Sequence, residues 1–210
     1  DFDDYVSHLH TYLTDLKNMQ MTTGLHIMGN PPQGEKLTEY LYALVRLENP
    51  DMASLPKTLA QAYGYDYYEL IDNSSKLLPD GILSYGMLLD KINDQCLEII
   101  RLLQNDGFVI HEDKLRALEC VKCWEETVQQ DIIKIAGFIC DKLYPSLAHT
   151  TWERSNCIRA LQSEYIEPSA GGAPTSGGAE ILPTGRNFYG VDPQLLPTPV
   201  AWKIGSQMAE

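Results

Sequence analysis

Apolar residues recur at intervals of three and four along most of this chain, and that period constrains its fold more than any other feature. Leu83, Met87, Leu88, Ile92, Leu97, Ile100 and Leu103 trace one stripe that ends near residue 105. Leu115, Leu118, Val121, Trp124, Val128, Ile132, Ile135, Ile139 and Leu143 trace another. This second stripe predicts one long helix from about Asp113 to Leu143, ended by Pro145. The same spacing at Phe2, Tyr5, Val6, Leu9, Tyr12, Leu13, Leu16 and Met19 predicts a helix over residues 1–22. Leu37, Tyr40, Leu41, Leu44 and Val45 predict the next, from Glu35 to the Asn49-Pro50 pair, because a proline pushes the residue before it out of the helical region. A shorter helix is expected from Ser54 to near Gly64, and a last one from about Thr151 to Ser163 with Trp152, Ile158 and Leu161 facing inward. The tyrosine-rich run YGYDYYEL reads mostly as packing area with hydroxyl handles. The expected fold class is mainly α: an irregular bundle of five to seven helices with little strand.

Beyond residue 165 the character changes. Residues 166–200 hold six Pro and six Gly in 35 positions, a density no continuous helix tolerates. The same stretch and its continuation carry Leu182, Phe188, Tyr189, Val191, Leu195, Leu196 and Trp202, which a disordered linker has little reason to contain. The expected division is therefore a helical domain over 1–165 and an ordered Gly/Pro-rich loop over 166–210, packed on the helices and leading into a missing domain. Loops of this length that stay ordered are usually functional. Phe188 and Trp202 are expected to be substantially buried, and Arg186 to point into a cleft or to pair with a carboxylate.

Charge and composition exclude several function classes. Lys plus Arg is 16 and Asp plus Glu is 29, a formal net charge of −13, so duplex nucleic acid and anionic membrane surfaces are disfavoured partners. No apolar stretch approaches the length of a membrane span. The opening DFDDYVSHLH is acidic where an export signal is basic, and it lacks Met, so the chain reads as a piece of a longer cytoplasmic polypeptide. Its five cysteines read as reduced thiols rather than as a disulfide framework.

Several local signals have bland readings. GNPPQGEK at 29–36 resembles a phosphate-binding loop, but Glu35 separates the last Gly from the Lys, Leu37 takes the hydroxyl position and two prolines remove amide donors. It reads as a proline-set turn. Cys120 and Cys123 form a lone CxxC inside predicted helix, with no second pair for zinc. His8 and His10 fall on different faces of a helix, and His149 reads as a hinge or capping residue before the last helix. His26 differs, since it sits in a Gly-bounded apolar turn where an imidazole can be a metal ligand or a proton acceptor, or can simply bond its own loop. In LPTGRNFYGVDP, Arg186, Asn187, Phe188, Tyr189 and Asp192 fall within seven residues. The Arg186 fork suits a carboxylate, either Asp192 of the same loop or an acid group of a ligand.

Residues 167–205, EPSAGGAPTSGGAEILPTGRNFYGVDPQLLPTPVAWKIG, closely resemble the signature of the large subunit shared by aerobic cobaltochelatase and magnesium chelatase, and GLHIMGNPPQGEKL at 24–37 is similar to a second, shorter block of that family. The resemblance covers essentially the whole chain and is most specific in LPTGRNFY and DPQLLPTPVAW. It implies a segment of a very large cytoplasmic subunit that binds a tetrapyrrole or corrinoid and takes part in inserting a divalent metal, while two smaller partner subunits bind and hydrolyse ATP. The metal is substrate, Co2+ for cobalamin biosynthesis or Mg2+ for the magnesium branch. The GRNFY form leans toward cobalt, since the magnesium branch often follows GRN or GKN with Ile-His. One departure stands out: where the family commonly has Gly-Gly-Asp-Pro and then an arginine, this chain has Gly171, Gly172, Ala173, Pro174, Thr175 and Ser176. An acid and a base are thus replaced together, which leaves open a second reading as a non-catalytic tetrapyrrole-binding or assembly module.

Insertion requires removing two pyrrole protons, stripping water from the ion and bending the macrocycle toward it. From residue chemistry and motif position, His26 is the candidate metal ligand and proton acceptor, and Glu35 and Glu180 are the candidate carboxylates for relaying protons or hydrated metal. Arg186 and Asn187 are the candidates for clamping the carboxylate or amide periphery, with Phe188 and Tyr189 against the flat ring. The isolated segment is expected to be inactive alone.

Overall fold

The computed structural model describes residues 26–49, 52–79, 81–176 and 178–189, with residues 6, 206 and 207. The expected helix over 1–22 and the expected burial of Trp202 lie outside the described residues, as do the side chains of Phe188 and Tyr189. Among the described residues the fold is mainly α. Helices α1 (Glu35–Val45), α2 (Leu55–Ala62), α3 (Tyr67–Asp72) and α4 (Tyr85–Asn105) are followed by α5 (Glu112–Ala117), α6 (Glu126–Phe138), α7 (Tyr144–Ala148) and α8 (Trp152–Leu161). The only strands described are β1 (Pro168–Ala170) and β2 (Asn187–Tyr189), paired in parallel with Ser169 opposite Phe188.

Helix α4 is the hub, and α1, α2 and α3 all pack on it. Its stripe of Leu88, Ile92, Cys96, Ile99, Ile100 and Leu103 is buried against Leu41, Leu44, Leu55, Leu59 and Leu70. Side-chain caps set where three of these helices begin, by satisfying amides that the first turn leaves open. Ser84 Oγ accepts from the Met87 amide at 3.2 Å, Ser54 Oγ from Lys57 at 3.3 Å, and Asp66 Oδ1 from Tyr68 and Glu69 at 2.9 Å each. The Asp66 cap turns part of the tyrosine-rich run into α3, and Tyr63, Tyr65 and Tyr67 pack against the core.

The long helix expected over 113–143 is interrupted. At Leu118 the backbone leaves the helical region, with ψ at 135°, and a series of tight turns runs to Trp124. Apolar residues three apart are buried equally well by successive turns as by a helix, and Cys120 and Val121 face the core in this way. Trp124 Nε1 donates to the Cys120 carbonyl at 2.8 Å, and the Trp124 ring meets Tyr63 edge to face at 4.7 Å. Cys120 and Cys123 therefore sit in a turn, not inside a helix. Pro145 does not stop the chain's helical course either. The preceding turn, Ile139–Leu143, widens to a π-helix in which the Tyr144 amide reaches the Ile139 carbonyl. A wide turn makes room for the proline ring, and Pro145 has no amide to leave unpaired.

Helix α8 corrects the expected inward set. Trp152, Ile158 and Leu161 are 37%, 57% and 83% exposed, and no residue of α8 is fully buried. Its inner face is polar, formed by the partly buried Glu153 and Asn156 one turn apart. Asn156 Nδ2 donates to the Gly185 carbonyl at 2.8 Å. Through this contact the described part of the Gly/Pro-rich segment is held against the helices, with Ala179 and Leu182 buried in the core.

Candidate functional site

The turn that carries His26 is held by a residue far away in sequence. His26 Nε2 lies 2.8 Å from Glu153 Oε2, and the Gly29 amide donates to the same oxygen at 2.7 Å. The Glu153 side chain is 10% exposed whereas His26 is 61% exposed, so the carboxylate is the inner member of the pair. Burial alone would raise the Glu153 carboxyl, but the neighbouring Thr184 hydroxyl, the Gly29 amide and the His26 ring together hold it below the ordinary value. Glu153 is thus an ionised carboxylate at neutral pH, well inside the protein surface.

Around this pair opens a cavity of about 550 Å3, within the usual range of small-molecule sites. His26, Asn30, Gln33 and Lys36 line it from the turn and the start of α1, with Tyr40 behind them. Leu147, Thr150 and Glu153 line it from α7 and the start of α8, and Thr175, Leu182 and Thr184 from the Gly/Pro-rich segment. The chain's two resemblance blocks, distant in sequence, therefore share one cavity wall. Burial raises the Tyr40 phenol, and the Glu153 charge raises it further. The Thr184 hydroxyl is buried on the same wall, beside the Glu153 carboxylate.

The remaining sequence candidates are placed as follows. Glu35 pairs with Arg101 of α4, with Arg101 Nε at 3.1 Å from Oε1, and the Arg101 hydrogen bond lowers its carboxyl. It ties α1 to α4 and does not line the cavity. Glu180 is exposed on the short turn Ala179–Ile181, also off the cavity wall. Arg186 is half-buried and donates to the carbonyls of Pro183 at 3.2 Å and Ile181 at 3.0 Å. It lines a second, smaller groove of about 390 Å3 with Trp152, Asn156, Arg159 and Glu167. Asp192, its expected carboxylate partner, lies outside the described residues. Asn187, at the start of β2, is exposed, and its backbone N–H donates to the Glu167 carbonyl at 2.9 Å. Phe188 and Tyr189 follow it in β2.

Glu153 is the site residue that sequence reasoning missed. A glutamate in the first turn of a helix reads as an ordinary partner of the helix dipole, and the His26 ring and Gly29 amide that meet it lie more than a hundred positions upstream. Burial pushes the Cys120 thiol up to about 12 and raises Cys96 and Cys140 as well, so these three buried cysteines contribute no thiolate at neutral pH. Among the described residues no three His, Cys, Asp or Glu side chains cluster as a metal site, so His26 and Glu153 supply a pair of donors rather than a complete cage. No helix among them is long and apolar enough to cross a membrane.

Comparisons with known proteins match essentially the whole chain to one family. The family model described as CobN/Magnesium Chelatase matches residues 1–210. The chain is 31% identical over 219 residues to the aerobic cobaltochelatase subunit CobN of Pseudomonas aeruginosa, covering 100% of this chain and 17% of that protein. It is 34% identical over 210 residues to an uncharacterised protein of Methanocaldococcus jannaschii, of which it covers 15%. Among solved structures, the catalytic subunit of cobaltochelatase from Mycobacterium tuberculosis matches with a TM-score of 0.59 at 26% identity, over 89% of this chain and 14% of that one. The chain thus spans under a fifth of the length of these relatives. It belongs to the CobN/magnesium chelatase family.

Proposed function

We propose that the chain is a segment of a chelatase large subunit that binds a tetrapyrrole or corrinoid and takes part in ATP-dependent insertion of a divalent metal in the cytoplasm, with cobalt favoured over magnesium. The observation that carries this reading is the His26–Glu153 pair on the wall of a cavity shared by both family blocks. ATP belongs to two smaller partner subunits, and the rest of the large subunit completes the cleft. Residues 1–165 act as the helical body, and residues 166–210 as an ordered loop segment packed on it and leading into the next domain.

In this reading His26 accepts a pyrrole proton or holds the incoming ion. Glu153 lies inside the cavity and is better placed for the carboxylate's part than Glu35 or Glu180. Arg186 and Asn187 meet the acidic or amide periphery, with Phe188 and Tyr189 beside the ring. The cobalt preference rests on the GRNFY form of the loop. A porphyrin or corrinoid titrated into the protein should shift its visible absorption band, and Arg186→Ala should abolish or strongly weaken the shift. Insertion is expected only when the complete large subunit, ATP and both partners are present.

A second reading, a binding or assembly module without insertion chemistry, draws on the same region. Pro174 and Thr175 of the departing GGAPTS run lie on the cavity wall. Restoring Ala173→Asp together with Ser176→Arg in the complete subunit tests it: a large gain in insertion rate favours the module, and an unchanged rate of turnover favours the enzyme.

A further inference from the structure

We infer that Glu153 is a positioning residue that fixes His26 as its Nε2–H tautomer and leaves Nδ1 as the only lone pair the neutral ring can offer. An ionised carboxylate accepts hydrogen bonds and cannot donate one. Glu153 Oε2 already takes the Gly29 amide at 2.7 Å and lies 2.8 Å from His26 Nε2. In a neutral imidazole one nitrogen carries the proton and the other the lone pair, so a contact of this length requires the proton on Nε2.

The backbone makes the arrangement specific. Gly29 lies three residues after His26, and a second donor from the same turn to the same oxygen fixes the ring's carrier as well as the ring. The turn closes on itself, with the Asn30 amide donating to the Ile27 carbonyl at 2.9 Å. Glu153 is in turn held by its place at the start of α8, where Gly185 packs against the Glu153 and Trp152 backbone. Carboxylate partners of this kind commonly set the tautomer and orientation of a functional histidine, and losing one typically costs about 10- to 100-fold in affinity or activity. The tautomer assignment stands on the contact geometry and on a carboxylate being ionised above the imidazole range; what Nδ1 acts on, a pyrrole proton or a divalent ion, rests on the chelatase reading.

The test is a histidine side-chain nitrogen NMR spectrum of the protein labelled with 15N-histidine, recorded well above the ordinary imidazole titration range. The chain has five histidines, and a His26→Gln spectrum identifies the resonance pair to follow. The inference expects a single tautomer at His26, with Nε2 protonated and Nδ1 bare. Exposed imidazoles exchange between both forms, so Glu153→Ala should return His26 to such an average, and Glu153→Gln, which can donate as well as accept, should relax the preference in the same direction. A protonated Nδ1 in the unsubstituted protein would overturn the inference, as would an unchanged His26 pattern in a folded Glu153→Ala protein. The unsubstituted spectrum decides even if Glu153→Ala fails to fold. Neither outcome depends on tetrapyrrole binding, so failure here and failure of the chelatase reading are told apart by the absorption titration.

Discussion

The Gly29 amide and the Glu153 carboxylate meet at 2.7 Å across 124 positions of sequence. The carbonyl of the same peptide unit, that of Met28, receives Arg154 Nε at 2.7 Å. Two adjacent residues at the start of α8 thus hold both polar groups of one peptide bond. That bond carries the turn bearing His26 over the cavity. The Gly29 backbone is left-handed, with φ at +70°, and a Cβ built there would stand 2.4 Å from Arg154 Cγ.

Gly29→Ala should therefore cost roughly 1–2 kcal/mol for the left-handed backbone and should also displace the Arg154 side chain. The stability loss is read from the urea midpoint. Faster amide exchange at position 29 and its neighbours should accompany it, while α4 stays protected.

A sharper test compares two glycines of nearly equal backbone. Gly64 and Gly185 have φ of +84° and +85°, so alanine strains both alike. A Cβ at Gly64 meets nothing within 4 Å, whereas one at Gly185 would lie 2.4 Å from the Glu153 nitrogen and 2.7 Å from the Trp152 carbonyl carbon. Gly185→Ala should cost about 1–3 kcal/mol more than Gly64→Ala, the usual range for forced overpacking. Equal losses in urea denaturation would mean that the segment after Pro183 does not press on α8.

The contrast between α4 and α8 shows how far the sequence could be read. Helix α4 was legible because the Ser84 cap and the stripe from Leu88 to Leu103 agree, and all of that information is local. The break at Leu118 was not, since Leu118, Val121 and Trp124 satisfy a helix and a chain of turns with the same spacing. Helix α8 inverted the usual rule. Its inner face is Glu153 and Asn156, which bond to groups distant in sequence, and its outer face carries Ile158 and Leu161. The cavity followed the same pattern: His26 stood out by its turn, whereas Glu153 gained meaning only once folding brought Gly29 to it.

Stability substitutions check that inversion. Ile92 is completely buried in α4, and Ile92→Ala should cost about 2–5 kcal/mol. Ile158→Ala should stay within about 0.5 kcal/mol of the unsubstituted chain, because that side chain is 57% exposed. Thermal melts followed by helical circular dichroism report both. A large loss at Ile158 would restore the inward-facing reading of α8.

The Glu153 pair also predicts a pH dependence. Its carboxyl is lowered from the ordinary 4.5 in the folded protein, so its contribution is present above the unfolded value and is lost as pH falls through the folded one. Glu153→Gln should lower stability near neutral pH and narrow its difference from the unsubstituted chain as the medium is acidified below about 4.5. Urea midpoints across pH 3–7 would reveal this as a shallower acid limb. A constant offset between the two proteins across that range would show that the charge on Glu153 contributes nothing.

The central claim is that this chain's cavity takes the tetrapyrrole, and equilibrium absorption titration measures it most directly. With the complete large subunit carrying this segment, a porphyrin or corrinoid acceptor should give a saturable shift of its visible band, weakened by His26→Ala and Arg186→Ala and unaffected by Ile158→Ala. A shift of full size in both the His26 and the Arg186 variant, or none at saturating protein, would contradict the account.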